Sequence, residues 1–103
     1  MKHNIIDSTM HVEIPGNLTA TEVDGLSLET AELFEFDDTN VSEICLDISL
    51  ADKLDSMGLT YLVGLCRTAK HLKWRFHIYG ANPDIVRQIS FANLVKHFNI
   101  ATH

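Results

Sequence analysis

The chain has 103 residues, of which 46% are hydrophobic and 21% charged, the proportions of one ordinary globular domain with a modest core. No run of roughly 18 apolar residues offers a membrane span, and no basic segment followed by an apolar stretch opens the chain, so neither insertion nor export is expected. The net charge of −6 is uneven, −11 over residues 1–55 and +5 over residues 56–103, and overall acidity argues against nucleic acid and for a protein partner with charged patches of its own.

Asn4–Ile6 reads as a first, edge strand. Met10, Val12 and Ile14 alternate with His11 and Glu13, the period-two pattern of a half-buried strand, and Pro15-Gly16 ends it. Over Thr21–Phe36, Val23, Leu26, Leu28, Ala31, Leu33 and Phe34 form an imperfect helical stripe, with Thr19 or Thr21 as cap and Gly25 weakening it. Asp37–Asn40 is a loop. Val41–Ser49 is the central strand, and Ile44, Cys45, Leu46, Ile48 and Leu50 make it a largely buried run. After the short connection Ala51–Leu54, apolar residues recur at three- and four-residue steps from Leu59 through Leu62, Val63, Leu65, Cys66 and Ala69 to Leu72. That spacing predicts a helix from Ser56 to about Leu72, with Lys70 and Lys73 in its last turn, where cations suit the helix dipole.

Arg75–Tyr79 is a further strand with Phe76 and Ile78 facing one way. Pro83 stands at the first position of the next helix with Asn82 as its cap, and Asn93 reads as a left-handed stop. Leu94, Val95 and Phe98 make a last helical turn. The order β-β-α-β-α-β-α predicts an α/β fold with a mixed sheet and helices packed on a face, and no linker divides it. Cys45 and Cys66 lie on apolar stretches and read as buried thiols of a reducing compartment. Gly58 and Gly64 read as points of close helix packing, and Trp74 and Tyr79 as packing residues.

Ser56 lies where strand pattern gives way to helix pattern, at an N-terminus whose backbone N–H groups lack intrahelical partners. The hydroxyl there is either a cap or a seat for a phosphoryl group. Asp55 either orients that hydroxyl or is itself satisfied by backbone N–H groups. Thr60, one turn on, is a second hydroxyl nearby. An enzyme is not expected: Asp-Ser-Met-Gly is not the Gly-x-Ser-x-Gly turn of hydrolases, and no histidine stands as its base. The spacing of His11, His71, His77 and His97 matches no zinc motif. No cofactor is implied.

The segment Ile44–Gly58, I-C-L-D-I-S-L-A-D-K-L-D-S-M-G, resembles the central strand and phosphorylation loop of STAS domains, the anti-sigma-factor antagonist family. Asn82–Phe98 resembles the family's closing helix pair, and Gly16-Asn17-Leu18-Thr19 stands where the family has a Gly-x-Leu-Asp turn. The likeness spans roughly residues 8–100 and implies a single STAS domain over 1–103, with a mixed sheet of four to five strands and helices mainly on one face. It implies a small cytoplasmic switch rather than an enzyme. A serine kinase, often an anti-sigma factor with an ATP-binding fold, phosphorylates Ser56, and a PP2C-type phosphatase reverses this. The unmodified form holds its target and the phosphorylated form releases it. The partner surface so implied comprises Lys53, Asp55, Met57, Gly58, Leu59, Thr60, Asn17 and Thr19. Met57 in place of a second small residue, Lys53 close by, and the missing acid of the Asn17-Leu18-Thr19 turn depart from the pattern and point to a different partner surface. The output is a sigma factor or another process, such as biofilm or surface polysaccharide regulation. The rival reading is a constitutive scaffold, such as the STAS subunit of a lipid-transport ATPase, with Ser56 never modified.

Overall fold

The computed structural model describes residues 2–34 and 40–100, apart from the side chains of Val95 and Lys96. The elements follow in the order β1 (Lys2–Ile6), β2 (Thr9–Glu13), α1 (Ala20–Phe34), β3 (Glu43–Asp47), α2 (Ser56–His71), β4 (Arg75–Tyr79), α3 (Pro83–Phe91) and α4 (Val95–Phe98). The strands align in chain order as a four-stranded mixed sheet: β1 and β2 form an antiparallel hairpin, and β2, β3 and β4 run parallel. Asp7 and Ser8 turn the hairpin with φ of 49° and 70°. Each parallel step is a helical crossover, α1 between β2 and β3 and α2 between β3 and β4.

Strand alternation decides the layers. Met10, Val12, Ile44, Leu46, Phe76 and Ile78 face one side and are buried, with Leu62, Leu65 and Ala69 of α2 and Ile85 and Ile89 of α3 in the same core. The other face is open and polar. There Glu43 of β3 accepts the Thr9 hydroxyl at 2.9 Å and pairs with His77 at 2.5 Å and Arg75 at 3.8 Å. The Thr9 hydrogen bond, ahead of His77 and Arg75, holds the Glu43 carboxyl below its ordinary value. Helices therefore lie against one face, as the sequence predicts.

Several expectations need correction. Leu28 and Ala31 are exposed, and Thr30 is buried in their place, its hydroxyl donating to the Leu26 carbonyl at 2.8 Å and accepting from Tyr61 at 3.3 Å. Tyr61's own burial raises its phenol to about 12. The true stripe of α1 is Val23, Leu26, Thr30 and Leu33. Leu50 is exposed rather than buried, because β3 ends at Asp47, whose carboxylate takes the Ser49 N–H at 2.9 Å and turns the chain. Cys66 is buried, whereas Cys45 is only half-buried on the open face. Gly64 is exposed with nothing within 4 Å of a Cβ placed there, so it serves no close packing. The residues 37–39 of the expected Asp37–Asn40 loop, and Phe36 at the expected end of α1, lie outside the described residues.

Candidate functional site

Leu18 and Leu54 form a parallel bridge that extends the β2–β3 pairing past the strand ends. The Leu18 N–H donates to the Lys53 carbonyl at 2.9 Å, and the Asp55 N–H donates to the Leu18 carbonyl at 3.1 Å. Asn17 completes the seam with its side-chain oxygen, which accepts the N–H groups of Asp52 at 2.8 Å and Lys53 at 3.1 Å. Two loops 35 residues apart in sequence are thereby joined at the C-terminal ends of the parallel strands, where ligand sites of α/β sheets gather.

Asp55 sits at the junction. It is the N-cap of α2, in extended backbone, and its Oδ1 accepts the Gly58 N–H at 2.9 Å. Its Oδ2 accepts the N–H of Ala20, the first residue of α1, at 2.8 Å. One carboxylate thus serves the N-termini of two helices. The Gly58 N–H, followed by that of Ala20, holds the Asp55 carboxyl below its ordinary 3.8. Of the two readings of Asp55, the structure shows the carboxylate satisfied by backbone donors. Thr19, the residue before α1, hydrogen-bonds its hydroxyl to the Glu22 carboxylate, and its carbonyl accepts the N–H groups of Glu22 and Val23. Thr19 rather than Thr21 therefore holds the N-cap position of α1, although its hydroxyl donates to Glu22 and the Asp55 carboxylate takes the first backbone N–H.

Ser56 opens α2 immediately after this cap and is exposed. Since the Asp55 carboxylate does the capping, the Ser56 hydroxyl stands at the positive end of the helix without that duty. Thr60 is exposed one turn on and donates to the Ser56 carbonyl at 2.9 Å. Met57 is 49% exposed, whereas Leu59 is half-buried against the core. Gly58 has a steric role: a Cβ there would lie 1.9 Å from the Leu18 carbonyl oxygen and 2.9 Å from Leu54 Cδ1. Only glycine lets α2 start this close to the Leu18 turn.

Lys53 is exposed and borders a groove of about 530 Å³ between this loop and α3, lined also by Thr19, Asp55, Arg87 and Phe91. The structure therefore gathers Asn17, Thr19, Lys53, Asp55, Ser56, Met57, Gly58, Leu59 and Thr60 at one end of the sheet. Sequence reasoning missed the α3 wall. Its signal was present: Asp84, Arg87, Gln88 and Phe91 fall on one helical face, opposite the buried Ile85 and Ile89. Asn82, at the head of that helix, accepts the Ile85 N–H at 2.8 Å and donates to the carbonyls of Ala51 and Asp52 at 3.3 Å, tying α3 to the loop.

Among the described residues no helix is long and apolar enough to cross a membrane. No curated protein matches the chain. Among solved structures, a proposed anti-sigma factor antagonist from Thermotoga maritima is similar over 99% of this chain and 86% of its own, at 19% identity and a TM-score of 0.86. The unphosphorylated anti-sigma factor antagonist SpoIIAA is similar over 99% of this chain and 88% of its own, at 17% identity and a TM-score of 0.76. The murine solute carrier 26 family member A9 anion transporter matches over 94% of this chain but only 16% of its own, at 15% identity and a TM-score of 0.81. At such identities these likenesses establish the fold. The STAS domain model matches residues 1–103, and the chain belongs to the STAS domain family.

Proposed function

We propose that this protein is a phosphorylation-controlled binding switch of the anti-sigma-factor antagonist kind, with Ser56 as the phosphoacceptor. The observation that carries the reading is the exposed Ser56 at the start of α2, relieved of capping by Asp55. The likeness to the antagonist SpoIIAA supports it at the level of fold. The unmodified protein holds a serine kinase or anti-sigma factor with an ATP-binding fold through the Asn17–Thr19 turn, Lys53 and the exposed side of Met57 and Thr60. A PP2C-type phosphatase returns the phosphorylated form, and the cycle runs in the cytoplasm. The output is a sigma factor or another process such as biofilm regulation.

The physics of the switch is interfacial. A phosphoserine adds about −1.5 to −2 charges and three acceptor oxygens, and the N-terminus of α2 tolerates them with up to ~2 kcal/mol of favourable interaction. The fold therefore stays intact. The partner instead meets a new dianion beside Asp55, which repels an acidic surface and is costly to strip of water.

Phosphate-affinity electrophoresis of the protein from cells, combined with pulldowns of Ser56→Ala and Ser56→Asp, tests the reading. A slow band that Ser56→Ala abolishes, with partner retained by Ser56→Ala and lost by Ser56→Asp, is expected. A band that never shifts under any growth condition, with equal capture by both variants, would instead make the protein a constitutive scaffold such as a transport-ATPase subunit.

A further inference from the structure

The second half of α2 and the short α4 enclose a groove of about 250 Å³, far from the Ser56 end. Ser56 and Arg67 are eleven residues apart on one helix, or about 16 Å along its axis. The groove floor is apolar, with half-buried Val63 and Leu94 over the buried Phe98, and exposed Arg67 and Lys70 rise on its rim. In a chain of net charge −6, this is an apolar slot edged by cations one helical turn apart. Its chemical complement is an acidic helix carrying an apolar side chain outward.

The chain itself presents one. On α1, Leu28 is 72% exposed, the largest exposure of any large aliphatic side chain in the molecule's described part. Asp24 and Glu32 lie four residues before and after it, on the same face and also exposed. Gly25 and Ala31, three residues to either side, are exposed and small, and nothing lies within 4 Å of a Cβ placed at Gly25. An apolar knob, acids above and below, and little bulk beside it match the slot feature for feature. Because Leu28 is exposed, it does not fill the groove of its own copy.

We infer that the α2–α4 groove of one copy receives the α1 face of a second copy, with Leu28 on the apolar floor and Asp24 and Glu32 against Arg67 and Lys70. The two surfaces differ, so the contact is head-to-tail and leaves a free groove and a free α1 at the ends. One knob in a small groove makes a weak contact, below the area of a stable dimer, and its charged rim makes it salt-sensitive. The Ser56 loop stays uncovered, and the association does not depend on its phosphorylation.

Sedimentation velocity of the whole chain over a concentration series, at low and moderate salt, tests this. The wild type is expected to sediment faster as concentration rises, and to lose this behaviour on going from ~0.05 to ~0.5 M salt. Leu28→Ala, the pair Asp24→Lys and Glu32→Lys, and the pair Arg67→Glu and Lys70→Glu should each lower the association constant at least ~tenfold. All five positions are exposed, so melting curves of these variants should match the wild type. A mixture of the two charge-reversed pairs should associate again, because each then supplies the charge the other lacks. A wild type that stays monomeric throughout overturns the inference, as does association that survives all three variants or a mixture that stays apart.

Discussion

The hydroxyl of Ser56 and the carboxylate of Asp55 are neighbours with divided labour. The carboxylate holds two helix starts together, with Gly58 on one oxygen and Ala20 on the other, and the hydroxyl is left at the surface. The sign of the pH dependence follows from the lowered Asp55 pKa. Its stabilising contribution is complete above the ordinary value of 3.8 and is lost as pH falls through the lower folded value. Asp55→Asn keeps one acceptor oxygen, enough to cap α2, but its amide nitrogen cannot accept the Ala20 N–H. Thermal melts should therefore show Asp55→Asn less stable than wild type at pH 7, with the gap closing toward pH 3. A gap that stays constant with pH would mean that the carboxylate charge is irrelevant to the clamp.

At the scale of elements, most boundaries and most buried faces were legible, and the face of α1 was not. Arg75–Tyr79, Asn82 before Pro83, and the start of α2 at Ser56 were readable because each rests on local signals: alternation, a cap, a proline with fixed φ. Asn93 also holds the left-handed φ of 58° that its position after α3 suggested. The faces of α1 were misread because a polar residue, Thr30, sits in the buried stripe. Its hydroxyl is satisfied inside the helix and by Tyr61, a partner 31 residues away that no periodicity shows. The site was legible only in part for the same reason. The Ser56 loop announces itself locally, whereas the seam from Asn17 to Asp52 and Lys53 exists only once β2 and β3 are paired.

Two glycines of α2 illustrate what close approach means for stability. Gly58 abuts the Leu18 carbonyl, and Gly64 faces open space. Gly58→Ala should lose about 2 kcal/mol, as overpacking against backbone outweighs the gain in helix propensity, and for a domain of this size the melting temperature should fall by roughly 10 °C. Gly64→Ala should gain roughly 0.5–1 kcal/mol from propensity alone. Calorimetry of the two variants side by side reads both signs. Equal shifts would mean that the Leu18 turn can move away from α2 at no cost.

Across the whole molecule, the sheet distributes its anchorage unevenly. β3 is hydrogen-bonded on both sides and its core-facing Ile44 and Leu46 are fully buried, whereas β1 pairs on one side only and all five of its residues are exposed. The opposite edge is better shut, since Ile100 bridges Ile78 beyond β4. Backbone amides should accordingly take up deuterium in a graded order: Lys2–Ile6 at the rate of local fraying, and Glu43–Asp47 only when the entire domain opens. If mass spectrometry of peptic fragments found both strands exchanging together, the first hairpin would belong to the same cooperative unit as the centre. With the expected gradient, the N-terminal ribbon is a semi-detached selvage, and its loss would leave the Ser56 end of the sheet standing.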